Sequence, residues 1–129
     1  MEDDEEYTGG VVKKILYVNR RQPHGTVYAQ ESLETVLIGA AFDQDVSMLF
    51  LDDGVFQIKK EQSPEALDLK NFSKTYRALE MYDVEKVYVE RESLEDRGLE
   101  AADLLIDVEV RARSEIAALI EENDVVLGF

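Results

Sequence analysis

The 129-residue sequence contains no cysteine, no tryptophan, a single histidine and only two prolines. Without a thiol the chain has no sulfur nucleophile, no thiolate zinc site, no iron–sulfur ligand and no atom on which to carry a persulfide, and nothing signals an oxidising compartment. Sulfur chemistry involving this chain therefore needs a thiol on another subunit. Cations are scarce as well: 14 Lys and Arg stand against 29 Asp and Glu, a net charge of −15. A field of that sign repels phosphate backbones and acidic membrane surfaces, so neither direct nucleic-acid binding nor membrane association is expected. Long apolar runs are missing too, the longest falling far short of the roughly 20 residues that span a bilayer. The opening MEDDEEYTGG is acidic where a secretory signal is basic and then apolar, which makes the cytoplasm the expected location.

What is present suits a globular chain. Apolar residues make up 45% and charged residues 33%, with Leu, Ile and Val interleaved evenly enough among the charges to build a core. At this length roughly two-thirds of the unfolded surface can be buried, so neither disulfide nor metal is required. Residues 1–10 hold five acids, no base and a glycine pair, and read as an acidic flexible tail. Residues 11–129 read as one domain, without internal repeats.

The run from Val11 to Val18 is apolar on both parities after its lysines, as expected of a strand covered on both faces. Gln22-Pro23-His24-Gly25-Thr26 supplies breakers and a hydroxyl to cap a helix over about Val27–Ala41, where Ala29, Leu33, Val36, Leu37 and Ala40 form one stripe. Val46–Leu51 predicts a second strand closed by Asp52-Asp53-Gly54, and Val55-Phe56-Gln57-Ile58 alternates like a short strand. Ser63-Pro64-Glu65 predicts the start of a second helix running to Asp83. Lys86–Val89 predicts the third strand. Ser93 and Asp96 have capping-box spacing, with Gly98 closing that short helix. Leu104, Ile106 and Val108 alternate as a fourth strand near an edge. Ile116, Leu119 and Ile120 mark a last helix closed near Asn123, before the terminal VVLGF. The alternation predicts a three-layer α/β/α sandwich around a mainly parallel sheet of about five strands.

In such sheets ligands collect outside the carboxyl ends of the strands. The first loop there has one glycine and no Walker lysine, so dinucleotide and nucleoside-triphosphate cofactors are unsupported. His24 in that loop can shuttle protons, or simply hydrogen-bond the turn; no positioned nucleophile accompanies it. Asp52, Asp53 and Glu90 can gather as a hard-cation site or an acid–base pair, yet Asp-Asp-Gly is also ordinary turn chemistry and no spacing fixes a coordination shell. Arg20 and Arg21 can bind an anion at a helix start; in so acidic a chain, pairing with local carboxylates is the expectation. Phe56, Phe72, Tyr76, Tyr82 and Tyr88 can make an interface patch, though their spacing favours the core for most.

Read in order, Lys14–Val18, Pro23-His24-Gly25-Thr26, Glu31–Glu34, Ala40-Ala41-Phe42 and above all Leu51-Asp52-Asp53-Gly54-Val55-Phe56-Gln57 resemble the DsrF/TusC branch of the DsrE-like sulfur-relay family. Tyr82-Asp83-Val84, Tyr88-Val89, Ser93-Leu94, Arg97-Gly98-Leu99 and the closing Asp124–Leu127 with Phe129 extend the likeness from about Lys13 to the end. The resemblance implies a hetero-oligomer of three related subunit types, two copies of each, with DsrE-type and DsrH-type partners. It also implies docking of a DsrC/TusE-like sulfur acceptor. The family's carrier subunit bears its cysteine at the end of the strand before the Arg-Gly segment; counting back from Arg97-Gly98, the matching position is Glu90. The implied role is structural and docking, beside the cysteine-bearing subunit. The stretch Leu37–Val46 with Leu51–Gly54 looks closer to the sulfur-oxidising DsrF branch than to the TusC branch, which serves 2-thiolation of the transfer-RNA wobble uridine. Two other classes stay open at this point: a stand-alone enzyme using His24 or Asp52, Asp53 and Glu90, and a homo-oligomeric binding module.

Overall fold

The computed structural model describes residues 12–21, 28–59, 79, 81, 84–104 and 106–129. Five parallel strands form its sheet: β1 (Lys14–Asn19), β2 (Asp45–Phe50), β3 (Lys86–Glu90), β4 (Glu109–Arg111) and β5 (Val125–Gly128), in the order β4-β3-β2-β1-β5. Helix α1 (Tyr28–Ala41) joins β1 to β2, α2 (Arg91–Asp96) follows β3 directly, and α3 (Arg113–Glu121) leads from β4 to β5. The expected parallel α/β architecture is therefore present.

Period-two alternation assigns each strand residue to a face. On one face Tyr17, Val46, Met48, Phe50, Val87 and Val89 meet Val36 of α1 and Leu79, which is helical. On the other, Leu16, Val18 and Leu49 meet Ile116 and Leu119 of α3. The central strands are buried on both sides, which is why they read as continuous apolar runs; each fully buried large side chain there contributes about 1.5–3 kcal/mol of burial. The terminal VVLG forms the edge strand β5, registered against β1 from Ile15 to Val18.

Three local expectations need correction. Val55–Ile58 is no strand but part of a 3-10 helix over Asp52–Ile58. Val55 and Ile58, both fully buried, lie three residues apart, and the three-residue turn puts them on one side. The fourth strand is Glu109–Arg111 rather than Leu104–Val108. Leu104 instead makes an isolated antiparallel bridge to Lys59, while Ile106 and Val108 pack on the larger core cluster, so their alternation reflects core contact without a ladder. Finally, Ser93 is not an N-cap: α2 begins two residues earlier, at Arg91. Gly98 does close that helix, at φ +66°, with Leu99 N–H donating to Leu94 O and Gly98 N–H to Glu95 O, a Schellman ending. Asn123 Nδ2 likewise donates to Leu119 O at 2.8 Å after α3. The tail, the Pro23–Thr26 loop and most of the helix expected from Ser63 to Asp83 lie outside the described residues.

Candidate functional site at the carboxyl end of the sheet

The carboxyl ends of β1, β2, β3 and β4 are Asn19, Phe50, Glu90 and Arg111; Asn19 pairs with Phe50, and Glu90 pairs with Arg111 one residue beyond the Phe50–Val89 pair. Immediately beyond β2 the chain turns sharply. Asp52 takes φ +52°, a left-handed conformation that favours short polar side chains among residues other than glycine. Gly54 N–H then donates to Leu51 O, and a Cβ on Gly54 would sit 1.9 Å from the carbonyl oxygen of Asn19. The turn is thus pressed against the end of β1 in a way only glycine permits.

Polar bonds fix this turn to both neighbouring strands. Toward β1, Arg20 donates to Asp52 Oδ2 at 3.1 Å, and Gln57 Nε2 donates to Arg21 O at 2.6 Å. Toward β3, Asp52 N–H donates to Ser93 Oγ at 2.8 Å, and Arg97 Nε and Nη2 donate to Asp53 Oδ1 at 3.1 and 3.0 Å. Arg97 Nη1 also reaches Ser93 O, so one guanidinium clamps the turn to α2.

Glu90 lies at the centre of this knot and is 6% exposed. Ser93 Oγ donates to its Oε1 at 2.5 Å, while Arg113 Nε donates to Oε2 at 3.2 Å and Arg113 Nη2 to Oε1 at 3.3 Å. A carboxylate this enclosed needs such donors, because desolvation without them is costly. The bond to Glu90 in turn raises the Arg113 guanidinium above its ordinary range. One turn away, Arg113 N–H donates to Glu92 Oε1 at 2.8 Å and holds that carboxyl below its usual range. The start of α3 is therefore fastened to β3 and α2 by two acids.

Asp52, Asp53 and Glu90 do come to the same end of the sheet, as their order in the sequence suggested. Each carboxylate, however, faces its own arginine: Arg20, Arg97 and Arg113. Among the described residues no group of three or more acids or histidines is placed to hold a metal ion. The acid–base reading of the trio fits this arrangement poorly, since oxygens committed to guanidinium groups are not poised for proton transfer. The pairing expected for Arg20 is present. Pro23, His24, Gly25 and Thr26 lie outside the described residues.

Two members escaped sequence reasoning. Arg113 sits 23 positions from Glu90, and its signal was available: it follows the strand next to β3, but placing that strand at Leu104–Val108 separated the two. Asn19 ends β1 fully buried, with Nδ2 donating to Tyr17 O and Leu49 O, and among the described residues its Oδ1 has no hydrogen-bond partner. Of the aromatic candidates, Tyr88 is half-buried under the Arg111 guanidinium, 5.1 Å from its centroid.

The chain is 49% identical to the intracellular sulfur oxidation protein DsrF of Allochromatium vinosum over 92% of its length and 98% of that protein's. It is 33% identical to protein TusC of Klebsiella pneumoniae, covering 92% of this chain and all of that one. Among solved structures, the ychN protein of E. coli superposes with a TM-score of 0.76 over 92% of this chain and 100% of that chain, at 23% identity. The sequence model of the DsrE/DsrF-like family matches residues 13–129, and the chain belongs to that family.

Proposed function

We propose that this chain is a DsrF-like, non-catalytic subunit of a hetero-oligomeric sulfur-relay complex of sulfur oxidation. It stands beside a cysteine-bearing carrier subunit and supplies structure and docking. The observation that carries the reading is Glu90. At Glu90, the position that the family resemblance matches to the carrier cysteine, this cysteine-free chain has a buried carboxylate held by Ser93 and Arg113. A carboxylate cannot bear sulfane sulfur, and one so enclosed stiffens the end of β3 instead of presenting a reactive group. The 49% identity to DsrF, against 33% to TusC, supports the sulfur-oxidation branch over transfer-RNA thiolation.

The partners in this reading are DsrE-type and DsrH-type subunits, two copies of each, with a DsrC/TusE-like protein as sulfur acceptor. Residues 11–129 act as one domain in this reading. Co-expression with the E-type and H-type subunits, followed by native mass spectrometry, tests the proposal: the expected species holds two copies of each chain. A chain that stays alone at micromolar concentration, or that accepts sulfane sulfur when purified without companions, overturns it. Genes for sulfite-reductase-type proteins nearby support the oxidation branch, and transfer-RNA-modification genes in their place contradict it.

A further inference from the structure

At the opposite pole of the sheet, where β2 and β3 begin, a groove of about 650 Å³ runs between the end of α1 and the segment carrying Met81, Glu85 and Lys86. Met81 is 83% exposed and Phe42, directly after groove-lining Ala41, is 73% exposed, the highest values for large apolar side chains among the described residues. Ile38, one helical turn before Phe42, is 58% exposed. Single apolar residues on a surface mean little, but exposed apolar residues lining or flanking a groove rimmed by charge mark a contact surface.

The rim has one dominant sign. Asp43, Asp45 and Glu85 line the groove, and the one cation among the described lining residues, Lys86, is already bonded to Asp45 at 3.1 Å. Helix α1 points its carboxyl end, the negative end of its dipole, at the same place, with no basic residue in its last turn. Asp43 occupies the left-handed position after that helix, φ +60°, closed by Gln44 N–H to Gly39 O and Asp43 N–H to Ala40 O. Stability favours glycine or asparagine there, because an aspartate adds backbone strain and puts an anion against the negative end of the dipole. The acid makes sense as a binding group.

We infer that this pole docks a segment of a partner protein that carries an apolar anchor flanked by lysine or arginine. The anchor covers Phe42 and Met81, and the flanking cations meet Asp43, Asp45 and Glu85. A second copy of this chain fits badly, since each brings a charge of −15 and would set acid against acid at this pole. The inference does not depend on the sulfur-relay reading.

The test uses the full chain, isotopically labelled, titrated with a fluorescent peptide in which lysines flank leucine and phenylalanine. One control peptide replaces the apolar residues with serine and another replaces the lysines with glutamate. Only the first should bind saturably, with amide shifts centred on Gly39, Phe42–Asp45 and Glu85. The exposed double variant Phe42→Ser/Met81→Ser should keep its circular dichroism and melting temperature and lose about tenfold in affinity. Asp43→Asn should lose about threefold and show a shallower salt dependence. Equal binding of the serine control, unchanged affinity in the double variant, or shifts spread over the molecule would overturn the inference. So would self-association of the unliganded chain that Phe42→Ser abolishes.

Discussion

Gly54 rests so closely on Asn19 that a Cβ there would approach the Asn19 carbonyl oxygen to 1.9 Å. The obstacle is backbone, not a flexible side-chain tip, so Gly54→Ala must push the Asp52 turn away from β1 and strain the ion pairs fixed to it. A loss of about 2–4 kcal/mol is expected in denaturant unfolding. Gly98 makes the contrasting case: nothing lies within 4 Å of a Cβ there, but its φ is +66°. Gly98→Ala should cost about 1 kcal/mol, and Gly98→Asn less, because asparagine tolerates that conformation. Asparagine should give no such relief at Gly54. Equal costs for alanine at both positions would show that contact distance is not what selects glycine at Gly54.

Much of this was legible in the chain. Strands β1, β2 and β3 were visible because a parallel strand buried on both faces must be apolar at every position, and Leu16-Tyr17-Val18 and Met48-Leu49-Phe50 are. Asp52, Asp53 and Glu90 were placed at one end of the sheet by topology alone. Their pairing was not legible, because Arg97 and Arg113 reach them through side chains whose partners depend on strand neighbours, not on sequence distance. The 3-10 helix was hidden for another reason: over four residues Phe56 and Ile58 fit a period of two, while Val55 and Ile58 fit a period of three.

The Glu90–Arg113 pair should behave as a buried acceptor with a partly exposed donor. The Arg113 side chain is 60% exposed, so its own loss is softened by water, and Arg113→Ala should lower stability only modestly. Glu90→Ala should cost more, about 2–3 kcal/mol, since it also strands Ser93 Oγ and leaves a void. A double-mutant cycle should return a positive coupling. Strict additivity would mean that the two side chains do not interact in solution.

Glu92 gives the pH response a definite sign. The Arg113 N–H holds its carboxyl below the ordinary range in the folded state, so the ionised form stabilises the fold. That contribution is complete above the unfolded glutamate range and disappears as pH falls through the lowered folded value. The stability difference between the natural chain and Glu92→Gln, measured by urea unfolding from about pH 7 to about pH 3, should therefore favour the natural chain at neutral pH and shrink on acidification. Gln keeps an oxygen acceptor for the N–H, which isolates the charge. A difference that stays flat across the range would remove Glu92 from the fastening of α3.

Phe129 closes the sheet on the other side. Its ring stacks on Tyr17 with centroids 6.2 Å apart and planes 22° apart, its N–H donates to Val18 O, and its carbonyl accepts from Arg20 N–H. The backbone bonds bring the residue that opens the site, Arg20, into line with the end of β5, and the ring contact secures them. Phe129→Ala keeps the bonds and removes the ring, at an expected cost of about 1–3 kcal/mol. Hydrogen exchange should locate the loss: the Arg20 amide should lose protection, while amides of β2 and β3, anchored by their own core contacts, should keep theirs relative to global stability. Uniform loss along all strands would mean that the ring acts only through overall stability and does not hold the end of β1 in place.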